Sequence, residues 1–178
     1  MNLVLRFQEV ISSGNLFFAK DKLLLAVSGG IDSVVLCELC KQSNFTFTIA
    51  HCNFQLRGDE SERDEEFVKE LGKKYGVKVL VKKFDTEKYA AKEKLSMQVA
   101  ARELRYEWFE ELIKDEKVAE YLLTAHHADD NAETVLMNFT RGTGLHGLTG
   151  IPGSSGYIRR PLLAFSRKDI ELFAIQHQ

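Results

Sequence analysis

Leu23-Leu-Leu-Ala-Val27-Ser28-Gly29-Gly30-Ile31-Asp32-Ser33 is the stretch on which the fold turns. An apolar run passes directly into a hydroxyl, two adjacent glycines and a second hydroxyl. It reads as a buried strand, a tight loop and the start of a helix. Paired glycines let the backbone approach a ligand closely, and consecutive free N–H groups at a helix start form a nest for an anion. Ser28 and Ser33 add donors suited to phosphate oxygens. Asp32 opposes a phosphate unless a cation lies between them. The economical reading is that Ser28, Gly29, Gly30, Ile31, Asp32 and Ser33 cradle a nucleotide such as ATP, with Asp32 holding Mg²⁺.

Other readings of the loop compete with this one. A Walker A loop needs Gly-x4-Gly-Lys-Ser/Thr, and no lysine lies between Lys22 and Lys41. The dinucleotide pattern Gly-x-Gly-x-x-Gly is also absent here. Ala26-Val-Ser28-Gly-Gly30 is close to a nucleophile elbow, which would make Ser28 an acyl-transfer nucleophile. The plainest alternative is a tight turn with Asp32 capping the helix.

Outward from the loop, apolar runs at Phe45–Ala50, Val77–Val81 and Tyr121–Thr124 predict further strands. Helical stretches at Asp32–Gln42, Glu60–Tyr75, Met97–Lys114 and Asp130–Thr140 separate them. Strands alternating with helices predict an α/β fold, Rossmann-like: a doubly wound, mainly parallel sheet flanked by helices. Ligands in such sheets sit beyond the carboxyl ends of the strands, which marks Ser28–Ser33, His51–Arg57 and Thr124–Glu133. Thr140–Gly156, with six glycines and a proline, predicts a loop leading to a short strand near Tyr157–Arg160. Ser166-Arg-Lys-Asp169 has the form of a capping box. The helix it opens meets no Gly or Pro stop, so the chain is expected to continue beyond Gln178.

Length and composition fit one domain over residues 1–178. The chain is 44% hydrophobic and 28% charged with 2 prolines, which excludes disordered and collagen-like classes. No apolar run approaches the length of a membrane span, and residues 1–20 lack the pattern of a secretory leader. Three cysteines (Cys37, Cys40 and Cys52) suit a reducing cytoplasm better than a disulfide framework. With a net charge of -2, nucleic acid would be held through local basic groups and not through an overall positive field.

Ser-Gly-Gly-x-Asp-Ser after a first strand resembles the pyrophosphate (PP) loop of the N-type ATP pyrophosphatases, whose fold is adenine nucleotide alpha hydrolase-like. Further segments resemble the tRNA(Ile)-lysidine synthetases: His51-Cys-Asn53-Phe-Gln-Leu-Arg57, Gln98-Val-Ala-Ala-Arg102-Glu-Leu-Arg105-Tyr106, Arg160-Pro-Leu-Leu163, and Thr124-Ala-His126-His127-Ala-Asp129-Asp130-Asn131-Ala-Glu133-Thr134 continuing to Arg141 and Leu148. Phe54 stands where that family often has a second histidine, and Asn131 where it usually has glutamine. The resemblance implies an ATP-dependent ligase that joins L-lysine to C2 of the wobble cytidine of tRNA(Ile) bearing a CAU anticodon, through an adenylated cytidine. It also implies a C-terminal tRNA-contacting region and a homodimer. Asp32, Arg102, Asp130 and Glu133 are the implied catalytic residues. His51, Asn53, Arg57, Arg105, His126, Asp130, Glu133 and Arg141 are the implied substrate contacts.

The residues support parts of this independently. On a helix Gln98, Arg102 and Arg105 share one face, and neither arginine has an acidic residue three or four positions away. Such arginines want an anion from elsewhere, either a ligand or another element. Asp130-Asn-Ala-Glu133 has capping-box spacing, yet the acidic and histidine cluster from His126 to Glu133 exceeds what a cap needs. An anionic pocket there suits a metal or the ammonium of lysine. Cys37-Glu-Leu-Cys40 sits among apolar residues and reads as packing, although tRNA cytidine thiolation enzymes, the rival PP-loop branch, use cysteines to hold an iron–sulfur cluster. A serine hydrolase using Ser28 and a noncatalytic nucleotide-binding module are the readings from other classes.

Overall fold

A computed structural model describes residues 2–142 and 149–177. Its elements are α1 (Leu3–Ser13), β1 (Leu23–Ala26), α2 (Ile31–Gln42), β2 (Phe47–Asn53), α3 (Asp59–Tyr75), β3 (Val79–Lys83), α4 (Thr86–Glu93) and α5 (Met97–Glu110), which continues into a π-helical turn at Glu111–Asp115. There follow β4 (Tyr121–Leu123), α6 (Ala128–Thr140), β5 (Ser154–Ser155), β6 (Ile158–Arg159), a 3₁₀ turn at Pro161–Ala164 and α7 (Arg167–Gln176). The strand order is β3-β2-β1-β4-β6-β5, parallel throughout except for the β5–β6 pair. This is the doubly wound α/β sheet expected.

β1 has no exposed face, which explains why its four residues need no polar alternation. Successive side chains point to opposite faces. Leu23 and Leu25 join Phe7 of α1, Leu36 and Leu39 of α2, Val68 of α3 and Phe173 of α7 in one core. Leu24 turns to the other face, with Leu122 of β4 and Trp108, Phe109 and Leu112 of α5 and its π turn. Cys37 and Cys40 are fully buried in the first core, so their pairing in sequence reflects packing.

Two helices lie outside the predicted set. α1 is capped by Asn2, whose side chain accepts from Val4 N, and α4 by Asp85, which accepts from Lys88 N. β2 also runs three residues further than its apolar run suggested, to Asn53, because His51 and Asn53 pair with Val81 and Lys83 of β3. The short strand near Tyr157–Arg160 is β6, paired with β4. Of the glycine-rich segment, residues 143–148 lie outside the described residues.

Where α3 passes β3, Gly72 lies against the side chain of Val79. A Cβ there would lie 2.1 Å from Val79 Cγ2. Alanine normally stabilises a helix interior by about 1 kcal/mol over glycine, but valine is stiff at χ1 and the overlap costs about 1–3 kcal/mol. Gly72→Ala is therefore expected to lower the urea midpoint, and the double variant Gly72→Ala/Val79→Ala to recover stability relative to the sum of the single changes. Additive losses would show that the contact is not the cause.

Candidate active site

β1 feeds α2 through a loop in which Gly29 has φ 95°, a conformation that glycine adopts without strain. Gly30 precedes α2, and no side chain caps the helix. Ser33 N already donates to Gly30 O, but the N–H groups of Ile31 and Asp32 have no partner among the described residues and are available to an external acceptor. Asp32 lies inside the first turn and is not the cap. Ser33 Oγ donates to Gly30 O at 2.8 Å, and Ser28 Oγ lies 3.5 Å from Ser33 Oγ and accepts from Gly30 N at 3.3 Å. Among the described residues no histidine hydrogen-bonds Ser28, so it lacks the base that a nucleophile elbow requires.

Asp32 is met by α6 and α7. Arg167 Nη1 donates to both of its carboxylate oxygens, at 2.9 and 2.8 Å. His127, buried at the start of α6, places Nε2 3.9 Å from Asp32 Oδ1 and 3.6 Å from Asp130 Oδ2. The two helices are themselves tied together, since Asp129 accepts from Arg167 N at 2.7 Å and Ala128 N donates to Phe165 O at 2.8 Å.

Two adjoining clefts open here. The first, of about 220 Å³, has Ser28, Asp32 and Ser33 on one side and Ala26, Ala50, Cys52, Phe54 and Phe109 as an apolar floor. The second, of about 340 Å³, is walled by Arg102, Glu133, Met137 and Arg160. Tyr106, His126 and Asp130 line both. The arrangement offers phosphate donors and an apolar slot in one chamber and mixed charge in the next.

Residues 2–178 match the PP-loop domain family of ATP-binding domains. The chain belongs to that family. The tRNA(Ile)-lysidine synthase of Bacteroides thetaiotaomicron is 49% identical over 165 residues, covering 93% of this chain and 38% of that protein. The tRNA(Ile)-lysidine synthase of Porphyromonas gingivalis strain W83 is 44% identical over 180 residues, covering all of this chain and 39% of its own length. The chain thus spans well under half the length of these relatives. Among solved structures, the U34-tRNA thiolase NcsA of Methanococcus maripaludis, with its [4Fe-4S] cluster, superposes with a TM-score of 0.77 at 19% identity, covering 98% of this chain and 62% of that one. The NH3-dependent NAD synthetase of Campylobacter jejuni superposes with a TM-score of 0.67 at 12% identity, covering 99% and 74%. These two likenesses concern the fold alone.

The PP-loop domain brings Asp32, Arg105, His126 and Asp130 to the first cleft, and Arg102 and Glu133 to the second. Arg102 and Arg105 make no ion pair among the described residues; their guanidinium groups lie over the rings of Tyr106 and Phe54, at 5.0 and 5.2 Å. The capping box of α6 is formed by His127 and Asp130, not by Asp130 and Glu133. Asp130 spends Oδ2 on His127 N at 2.9 Å, while Glu133 takes no part and stays exposed. Burial, then Arg160, hold His126 below the ordinary histidine pKa, and its Nδ1 lies 2.9 Å from Thr124 Oγ1.

His51 and Asn53 do not reach the clefts. As members of β2 they point to the α3 face, and the intervening Cys52 and the following Phe54 take the cleft side. His51 is buried with Nδ1 2.8 Å from Val27 O, so the carbonyl, which only accepts, places a proton on Nδ1. It props the backbone just before the PP loop. Asn53 Nδ2 donates to Glu65 Oε2 at 2.8 Å and Oδ1 accepts from Gln55 N, fastening α3 to the end of β2. Arg57 is exposed and pairs with Asp64 at 3.2 Å, on the rim beside Gly29. Arg141 caps the far end of α6, about 20 Å from its start. Burial pushes the Cys52 thiol up to about 12, against Arg105 and Lys82.

Tyr106, Arg160 and Arg167 were not among the predicted site residues, and His127 and Asp129 stood in the predicted cluster without a role of their own. Arg167 left one signal in the sequence, a cation in the first turn of a helix, where it opposes the dipole and calls for an acidic partner.

Burial would raise the Glu65 carboxyl, but hydrogen bonds from Lys69 and Asn53 hold it down at about 2. A carboxyl depressed by folding stabilises the fold above its unfolded pKa, about 4.3, and that contribution disappears as pH falls toward 2. Asn53→Ala is expected to cost about 1–3 kcal/mol at pH 7 and to move acid unfolding to higher pH, as followed by circular dichroism. An unchanged acid midpoint would remove Asn53 from this role.

Proposed function

We propose that this chain is the ATP-using, adenylating portion of a tRNA(Ile)-lysidine synthase. The observation that carries the reading is the pair of clefts sharing Tyr106, His126 and Asp130: one holds a phosphate cradle, and the other is lined by Arg102, Arg160 and an exposed Glu133 that has no ion-pair partner among the described residues. The first suits ATP, its base over the apolar floor and its pyrophosphate on the PP loop. The second suits a cytosine and the two charged ends of free lysine. The identity to named lysidine synthases, 38–49% over most of this chain, supports the same choice.

Among the described residues no group of three or more His, Cys, Asp or Glu side chains could hold a metal. A single carboxylate beside a phosphate cradle nevertheless fits Mg²⁺, which favours one or two carboxylates together with phosphate oxygens. Asp32 would hold it, and the ion would supply charge neutralisation for the leaving pyrophosphate. Ser28, Ser33 and the open N–H groups of α2 stabilise the same developing charge. Cytosine O2 attacks the α-phosphate of ATP and pyrophosphate leaves. The ε-amine of lysine then attacks C2 and AMP departs. The ammonium form must first lose a proton, and Asp130 Oδ1 and Glu133 are carboxylate oxygens without a hydrogen-bond donor among the described residues. An unpaired base of an anticodon loop exposes O2 and C2 without breaking a helix. The thiolation alternative would draw on Cys37 and Cys40, which are enclosed in the core under α2.

Incorporation of labelled lysine into tRNA(Ile) by the full-length enzyme, with other amino acids as controls, tests the reading directly. Asp32→Asn should reduce ATP-dependent pyrophosphate release by on the order of 100-fold in a folded protein, and near-normal release would exclude its role. Glu133→Gln should raise the lysine concentration needed for half-maximal rate far more than that of ATP. Parallel loss of both with a falling melting temperature would reduce Glu133 to a structural residue.

A further inference from the structure

We infer that Arg167 is a resident cation for Asp32: its guanidinium holds the carboxylate in place on the PP loop until the divalent cation accompanying the nucleotide displaces it. The inference rests on the nucleotide reading of Asp32 above and extends it to a residue that no sequence motif assigned.

The grip has a form suited to release. A two-nitrogen fork on a carboxylate is the strong arrangement, but here a single nitrogen, Nη1, serves both Asp32 oxygens. Nη2 has no partner among the described residues. On its other side the guanidinium is held by Glu171, whose Oε1 accepts from Nε at 2.8 Å. Arg167 therefore keeps a carboxylate when Asp32 is taken from it. Its backbone is fixed independently, through Asp129, so releasing the side chain does not undo α7. The Arg167 and Asp32 side chains are 40% and 27% exposed, which places the pair at the cleft edge where an arriving ion can compete. His127 is no substitute, because 3.9 Å is too long for a hydrogen bond to Asp32.

An ion pair of this exposure contributes up to about 1 kcal/mol, so displacing it costs on the order of fivefold in metal affinity. The test is binding of a non-hydrolysable ATP analogue by calorimetry across a series of Mg²⁺ concentrations, using the full-length enzyme. Arg167→Gln should lower the Mg²⁺ concentration at half-maximal binding by about fivefold. Glu171→Gln should raise it, because the guanidinium then has Asp32 alone to hold, and this variant leaves the pair intact if Arg167→Gln folds poorly. A merely structural Arg167 would change nucleotide affinity equally at every Mg²⁺ concentration. A wild-type protein that needs Mg²⁺, with unchanged midpoints in both variants, overturns the inference alone. Wild-type binding indifferent to Mg²⁺ removes the metal role of Asp32, and the inference falls with it.

Discussion

β1 is paired on both edges, and the chain leaves its two neighbours in opposite directions. β2 and β3 extend the sheet one way, and β4, β6 and β5 extend it the other. The connections after β1 and β4 therefore diverge at their carboxyl ends and leave a crevice between them. The candidate site stands around that crevice: the PP loop on one side, the His126–Glu133 segment on the other, and α7 reaching Asp32 through Arg167. The crevice depends in turn on a strand apolar enough to be covered on both faces, which Leu23, Leu24 and Leu25 supply.

The sheet, the loop and the segment after β4 were legible because each depends on short-range chemistry. Apolar runs mark buried strands, paired glycines mark the nest, and an excess of acids over capping needs marks a pocket. α4 was not legible because only Thr86 and Ala90 of its eight residues are buried, leaving no apolar stripe to read. α1 carries such a stripe, with Phe7 and Ile11 buried, but its partners lie in α2 and at the 3₁₀ turn, far along the chain.

The segments that line the clefts were legible, but the side of the sheet that two residues of β2 face was not. The end of β2 is decided by hydrogen bonds to β3, which a local pattern does not reveal. With the strand ending at Ala50, the segment His51–Arg57 reads as a loop beyond it, while the roles of His51 and Asn53 came from the family resemblance. Within a strand, alternation gives them one face and gives Cys52 and Phe54 the other. The same non-locality hid Arg167, which lies 135 positions from Asp32 in sequence and meets it only through the packing of α7 against α2.

The apolar floor of the first cleft has a chemical corollary at Cys52. Burial pushes this thiol up to about 12, so its neutral form is favoured at neutral pH. Oxidants and alkylating agents act on the thiolate, the form that burial disfavours here. Cys37 and Cys40 are shielded more completely by the core. The lining that Cys52 shares with Ala26, Ala50, Phe54 and Phe109 thus sets a partly exposed thiol in surroundings that disfavour its charged form.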